Sequence, residues 1–445
     1  MKLSDWLKPG LQVKRWLLIG FVGLLLLMFS LSYYLNLMGI NYRGWPSLLL
    51  GLVGLILIIF AIKSGMASVF RVCHFQNTLQ GKLDRNKINK MIYDKRILAK
   101  GPKVVVIGGG TGLSVLLRGL KLYTTNITAI VTVADDGGGS GKLREDLGML
   151  PPGDIRNCIL ALAEMEPTME QLLQYRFQEG TLKGQSFGNL LIASMNGISN
   201  NFEEAIKKIS EVLAVTGKVL PVTLEDVTLY ARLKNGTVVE GESNIPHKSI
   251  EEDSPIERMF INPQQPPALK EAIEAILQAD VVVLGPGSLY TSIIPNLLIE
   301  DIRKSLLDTS AAKVYIPNIM TQPGETTNYT LLDHIKAISE HCPDLGIDHV
   351  LINDGTIPNE IEEKYLSEGA QLIRANHEEI KSISVLGINI LSDNLVDIKK
   401  DYVRHDAIKL SKMITNVVLR NRPSKEAYWI GEISSFKDWI KNLKK

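Results

Sequence analysis

Five short apolar runs set the terms on which this chain can fold. KVVVIG, ITAIVTV, DVVVLG, KVYIPN and HVLIND are each built from aliphatic and β-branched residues and run into turn residues. Runs of this length with no alternating polar face belong to strands covered on both sides, as in a parallel sheet. Between them the apolar spacing becomes helical. Leu113, Leu116, Leu117 and Leu120 form one stripe, Ile155, Cys158, Ile159 and Leu162 a second, and Leu269, Ile273, Ile276 and Leu277 a third. The alternation predicts an α/β domain with a doubly wound, mostly parallel, Rossmann-like sheet. One interruption is expected, a β-hairpin insertion within VTLYARLKNGTVVEGES, where Asn235-Gly236 is a strong two-residue turn signal.

The first sixty residues follow other rules. Trp16–Leu35 and Pro46–Ile62 are uncharged, mostly apolar runs without a polar face. A spanning helix needs about 20 such residues, with a lower limit of about 17. Residues 1–62 are therefore read as a transmembrane hairpin with helices at about 16–35 and 46–62. Lys2, Lys8, Lys14, Arg15, Lys63 and Arg71 flank the pair, whereas the connecting loop carries only Arg43. The positive-inside rule then puts both ends, and the body beyond, in the cytoplasm. Residues 63–100 read as a basic juxtamembrane linker, 101–420 as the α/β domain and 421–445 as a basic tail, with a helix expected from Tyr402 onward.

Lys and Arg number 49 against 48 Asp and Glu. That balance lacks the cationic excess of a nucleic-acid binder, so no nucleic acid is expected as a partner. The three cysteines, Cys73, Cys158 and Cys342, are far apart in sequence. They form neither a zinc spacing nor a disulfide framework.

Chemistry-bearing residues gather where strands end. VVVIGGGTGLSVLLRGL puts Gly108, Gly109, Gly110, Thr111 and Gly112 between a strand and a helix expected to start near Thr111 or Gly112. Free N–H groups and the positive helix end can hold a phosphate there. The dinucleotide fingerprint is broken, with Leu113 or Val115 at the position of its last glycine, which disfavours an NAD-dependent oxidoreductase. DDGGGSGKLRED brings Asp135, Asp136, Gly137, Gly138, Ser140, Arg144 and Asp146 to the next strand end, yet misses the Walker pattern at Asp136 and Leu143. PPGDIRN offers Asp154, a natural N-cap, with Arg156 and Asn157 in the first turn. Asn189 stands in GQSFGNLL, and Asn318 and Thr321 stand in PNIMTQPGET. GPGSLYTS repeats the strand–glycine–helix design with Gly285, Pro286, Gly287, Ser288 and Thr291. Two such turns on one sheet can embrace a diphosphate, because open α/β sheets bind ligands at strand carboxyl ends.

Taken together, GGGTGLSVLLRGL, DDGGGSGKLREDLGMLPPGDIRN, FGNLL, GPGSLYTSIIPNLL and NIMTQPGET resemble one family, the gluconeogenesis factors, which are related to the CofD-like 2-phospho-L-lactate transferases of deazaflavin coenzyme synthesis. The resemblance covers about Pro102 to Arg420. It implies a nucleotide-sugar-binding regulator needed for normal cell shape on gluconeogenic carbon sources, with UDP-N-acetylglucosamine as the first candidate ligand. The transferases instead move a phospholactyl group onto a deazaflavin with carboxylate-bound Mg2+. Under that alternative Asp135, Asp136 and Asp146 would hold the metal. Gln185 stands where family members often have histidine, which favours binding over catalysis, and no catalytic residue is assigned. A membrane anchor, an envelope-synthesis protein as partner and a homo-oligomer complete the expectations.

Overall fold

The computed structural model describes residues 13–34, 45–74, 98–165 and 167–421. The chain divides into two compact units, Met1–Lys90 and Met91–Lys445.

In the first unit α1, Val13–Tyr34, packs against α2, Trp45–His74. Small residues let the two backbones touch. A Cβ on Gly23 would meet Gly54 O at 2.8 Å, and one on Gly54 would meet Gly23 O at 2.7 Å. Ser30 Oγ donates to Ser47 O at 2.5 Å, and Trp16 meets Phe60 edge to face. These pairs run in opposite directions along the two helices, so the packing is antiparallel. Leucine, isoleucine and phenylalanine side chains on both outer faces are exposed. Within α2, Pro46–Ser64 is long and apolar enough to cross a membrane. The apolar stretch Leu18–Ser32 in α1 is shorter, although the whole helix of 22 residues is about 33 Å long at 1.5 Å per residue. Helix α2 also continues past Ile62 to His74, into the segment expected to be linker. Residues 75–97 of that linker, and the basic tail beyond Asn421, lie outside the described residues.

In the second unit, strands β1 Val104–Gly108, β2 Ile127–Val131 and β3 Lys218–Pro221 build one half of the main sheet. Strands β4 Thr228–Leu233, β5 Val238–Glu240 and β6 Ile256–Asn262 form the insertion. Strands β7 Val281–Leu284, β8 Ala312–Tyr315, β9 His349–Asn353 and β10 Asn389–Asp393 complete the main sheet, and β11 Val396–Lys399 pairs with β12 Tyr402–His405. The seven-stranded order is β10-β9-β8-β7-β1-β2-β3, parallel throughout. The chain builds outward from β1 through β2 to β3, then returns to β1's other side with β7. The switch point of the doubly wound sheet thus lies between β1 and β7, where such folds open a ligand crevice. Val104–Ile107 and Val281–Leu284 are buried to within 2 % of complete, as central strands covered on both faces require.

The Asn235-Gly236 turn joins β4 to β5 as expected, with Gly236 at φ +92°. The insertion is larger than a hairpin, because β6 pairs antiparallel with β4 along its other edge. The region from Tyr402 also differs from expectation. It begins as β12 in an antiparallel hairpin, and its helix runs Ala407–Asn421. The connecting Lys400 and Asp401 both take positive φ without a glycine, so the turn left no sequence signal. That helix lies against helix Gly110–Leu120, whose Gly119 approaches the Ala407 carbonyl and Ser411 hydroxyl too closely for any side chain.

Candidate functional site

Helix Gly110–Leu120 opens straight from β1, one residue earlier than expected. Its N-cap, Gly109, offers no side-chain cap, and Gly110 adopts φ +71°. The turn after β7 packs directly against it. A Cβ on Gly112 would meet Pro286 O at 2.7 Å, and one on Gly287 would meet Gly109 O at 3.1 Å. The two glycine turns therefore interlock, and Gly109, Gly110, Gly112 and Gly287 line a cleft of about 370 Å³, within the usual range for small-ligand sites.

Asp154 is not the N-cap of its own helix, as its position had suggested. Pro152 holds that place, and the Asp154 carboxylate instead accepts the Gly110 N–H across the cleft floor. Burial pushes its pKa up to about 6, against the pull of that hydrogen bond. Asp135 lines the same wall, its Oδ1 accepting the Gly137 N–H at 3.0 Å. Glu242, from the loop after β5, joins them. Burial, followed by the nearby charges of Asp135 and Asp154, pushes its pKa up to about 9, so it is protonated at neutral pH.

The opposite wall comes from the ends of β7, β8 and β12. Asn318 Nδ2 donates to Gln322 Oε1 at 2.8 Å, and Gln322 Nε2 donates to Ser288 Oγ at 2.8 Å. This chain of amides binds the β8 end to the β7 turn. Thr321 faces the cleft while its backbone and hydroxyl pair with Gln371. Behind the β7 turn, Glu325 is buried. It accepts the Tyr290 and Thr291 N–H groups, with the Thr291 hydroxyl at 3.4 Å, and its Oε2 has no partner. Burial pushes its pKa up to about 7. The β12 strand delivers Val403, Arg404 and His405, and Tyr365 takes the Val403 N–H on its hydroxyl. Arg404 is the permanently charged residue among those lining the cleft, its guanidinium 5.5 Å from the centre of the Tyr402 ring. Burial holds His405 down to about 4 and therefore neutral.

Of the residues expected from the sequence, Gly109, Gly110, Thr111, Gly112, Asp135, Asp154, Gly287, Ser288, Asn318 and Thr321 line this cleft. Gly108 ends β1, Gly285 and Pro286 support the second turn from behind, and Thr291 braces Glu325. The rest are drawn elsewhere. Asp136 accepts the Ser243 N–H and, with Gly138 and Asp146, borders a separate open depression. Arg144 also borders it, tied to Val227 O at 2.8 Å and Asp226 at 2.6 Å. Arg156 clamps Ser186, Asn189 and Asn157, fixing helix Phe187–Gly197 instead of reaching a ligand in the cleft. Asp135 thus faces the cleft whereas Asp136 and Asp146 border the depression, and among the described residues no group of three or more potential metal ligands converges. Glu242, Ser292 and Arg404 were not singled out from the sequence, whereas Gln322 belongs to the PNIMTQPGET strand end whose polar side chains were. No local pattern marks those three, because each reaches the cleft only through tertiary folding.

Comparison with known proteins adds the following. Residues 104–396 match the family described as 2-phospho-L-lactate transferase CofD. A relative from Clostridium acetobutylicum, assigned to the gluconeogenesis factors, is 52 % identical over 426 residues, covering 94 % of this chain and 92 % of its own. The gluconeogenesis factor of Bacillus subtilis is 47 % identical over 322 residues, covering 72 % of this chain and 99 % of its own. The crystal structure of a UPF0052-family protein from Bacillus halodurans superposes with a TM-score of 0.67 at 47 % identity, covering 70 % of this chain and 98 % of that one.

Proposed function

Since the chain belongs to the gluconeogenesis factors within the CofD family, we propose that its cleft binds a UDP-sugar, with UDP-N-acetylglucosamine first in line. The observation that carries this reading is the pair of interlocked glycine turns at the sheet's switch point, opposite a lone arginine. The helix N-terminus, where Asp154 takes the Gly110 N–H, and Arg404 together offer a diphosphate the remaining first-turn N–H donors, a positive helix end and one cation. The sugar lies toward Asp154, Asn318 and Thr321, whose oxygens and amide suit hydroxyl and acetamido groups. A protonated Glu242 acts there as a hydrogen-bond donor.

The protein is a regulator in this reading, coupling nucleotide-sugar level to envelope synthesis and cell shape during gluconeogenic growth through an envelope-synthesis protein and as a homo-oligomer. Helices α1 and α2 tether it to the membrane with the body in the cytoplasm. The 94 % of the chain shared with the Clostridium relative leaves too few residues outside the match to exclude α2.

The alternative is a phospholactyl transferase. It is favoured by the match of residues 104–396 to the family described as 2-phospho-L-lactate transferase CofD. Calorimetric titration with UDP-N-acetylglucosamine, with and without Mg2+, separates the two. Micromolar binding corresponds to about 8 kcal/mol. Metal-independent binding that leaves the ligand intact supports the regulator. Absence of binding, or Mg2+-dependent consumption of a nucleotide donor with an added acceptor, overturns it.

A further inference from the structure

Across Asp135 from the cleft, the second glycine turn opens on a different surrounding. Helix Gly138–Leu147 starts behind Gly137 with no side-chain cap, and the Gly141 N–H is the first to find a helical partner, at Gly137 O. The N–H groups of Gly138, Gly139 and Ser140 therefore point out of the helix mouth. Gln185 Oε1 lies 3.0 Å, Gly184 O 3.2 Å and Arg176 Nη1 3.6 Å from where a Cβ on Gly139 would stand, and Arg176 Nη1 donates to Gly184 O, leaving its other guanidinium N–H groups for a ligand. The Gln185 side chain is 5 % exposed, yet its Oε1 has no hydrogen-bond partner. The Nε–H of Arg156 is also buried and unpaired. After burial, the charge of Arg176 is what most lowers the pKa of Arg156, so the two guanidiniums repel. Among the described residues neither is ion-paired to a carboxylate.

We infer that this helix mouth is a second anion site, separate from the cleft, that takes the phosphoryl group of a phosphate monoester or of inorganic phosphate. A tetrahedral phosphoryl presents oxygens in several directions and can meet the helix N–H groups, Arg176 and the Arg156 Nε–H at once, whereas a planar carboxylate has two oxygens. Its dianionic charge removes the repulsion between the arginines. Gln185 is the remaining partner. Its Oε1 accepts a hydrogen bond from the P–OH of hydrogen phosphate, and for a dianionic monoester, which has no P–OH, the amide rotates to present its NH2. The basic residues that the sequence places beside this turn are not the ones used. Arg144 is held by Asp226 and Val227, and the cations are instead Arg156, on helix Gly153–Leu162, and Arg176, at its isolated bridge with Ser186.

The inference stands apart from the identity of the cleft ligand. Its test uses the full chain in detergent, titrated calorimetrically with inorganic phosphate and with glycerol 2-phosphate, each with and without saturating UDP-N-acetylglucosamine. Saturable binding at or below about 1 mM is expected, persisting in the presence of the UDP-sugar, and the tighter of the two probes identifies the source. Arg176→Gln and Gln185→Leu should each weaken binding by about tenfold or more, whereas Arg232→Gln, which breaks an exposed pair with Glu257 elsewhere, should not. Arg176 is exposed, so its variant decides the matter if Gln185→Leu does not fold. Lack of saturation by about 10 mM, displacement by the UDP-sugar, or indifference to Arg176→Gln overturns the site. If the UDP-sugar itself does not bind, the phosphate arm is still read, and only the reading of the cleft falls.

Discussion

The turn after β1, Gly109–Gly112, and the turn after β2, Gly137–Ser140, are both glycine-rich strand ends that open a helix without a side-chain cap. Their glycines serve different needs. At the first, the space a side chain would take is already filled: Gly109 by Asp154 and Thr132, Gly112 by Pro286. At the second, nothing lies within 4 Å of a Cβ on Gly138, where the backbone at φ +49° favours glycine, and a Cβ on Gly139 would meet Gln185 Oε1 at 3.0 Å and Gly184 O at 3.2 Å, atoms of a loop and not of an adjacent sheet turn. Glycine content alone therefore does not tell close packing of one turn against another from an open, donor-lined mouth. The neighbouring strand decides it. β1 has β7 beside it, whose own glycine turn closes on it, whereas β2 has β3, which ends on Pro221.

The sharpest way to break the comparison is to add one methyl group to each turn. Gly112→Ala places a Cβ 2.7 Å from a backbone oxygen that cannot yield without moving the β7 turn. UDP-N-acetylglucosamine affinity should fall by about a hundredfold, near 3 kcal/mol, with a lower melting temperature. Gly138→Ala meets open space and should cost about 1 kcal/mol of strain, leaving UDP-sugar affinity within about twofold. Calorimetry and thermal melting read both. Equal losses in affinity would mean that the two turns serve one ligand.

The first turn's partner is braced by a buried carboxyl group, and the second turn has none behind it. Glu325, with its pKa raised from 4.5 to about 7, binds an extra proton in the folded state between those values. Its favourable contribution is thus complete below about pH 4.5 and is lost as pH rises through 7. The whole span amounts to at most about 3 kcal/mol. Glu325→Gln should flatten the decline in melting temperature from pH 5 to pH 8 and raise stability at pH 8. A variant whose pH profile parallels that of the parent protein would show that this carboxyl does not titrate in the fold.

What the sequence made legible follows the same division. Strands β1, β2, β7, β8 and β9 declare themselves as continuous apolar runs because both of their faces are covered. β10, at the sheet edge, carries exposed Asn389, Ser392 and Asp393 and has no such run. The turns beside the cleft were legible as glycine clusters. Asp154 fits an N-cap as an aspartate near a helix start, but Pro152 holds that place and its hydrogen-bond partner, Gly110, lies 44 positions away in sequence. Arg404 was illegible for a related reason. It sits in a hairpin whose turn uses Lys400 and Asp401 at positive φ, a conformation that glycine or asparagine usually announces.

Arg404 and Arg144 give the next contrast, one arginine unnoticed in the sequence and one singled out. Arg404→Ala should weaken UDP-sugar binding by about thirtyfold, near 2 kcal/mol, because it removes the cation facing the diphosphate. Arg144→Ala should leave affinity within about twofold, since its guanidinium is committed to Asp226 and Val227. The reverse ranking would move the ligand from the cleft to the depression beside helix Gly138–Leu147.

The smallest expected effect separates two adjacent carboxylates. Asp135 faces the cleft, with one oxygen on the Gly137 N–H, and its charge helps keep Glu242 protonated. Asp136 points the other way and ties the insertion to the sheet through the Ser243 N–H at 2.9 Å. Asp135→Ala should therefore change UDP-sugar affinity by about fivefold and shift its pH dependence, because Glu242 then ionises at lower pH. Asp136→Ala should cost less than about 1 kcal/mol of stability, leave affinity unaltered and shift the pH dependence less than Asp135→Ala does, its charge being the smallest of those acting on Glu242. Matching effects on affinity from the two single variants would mean that cleft and depression act as one site, and the division between the glycine turns would then lose its functional meaning.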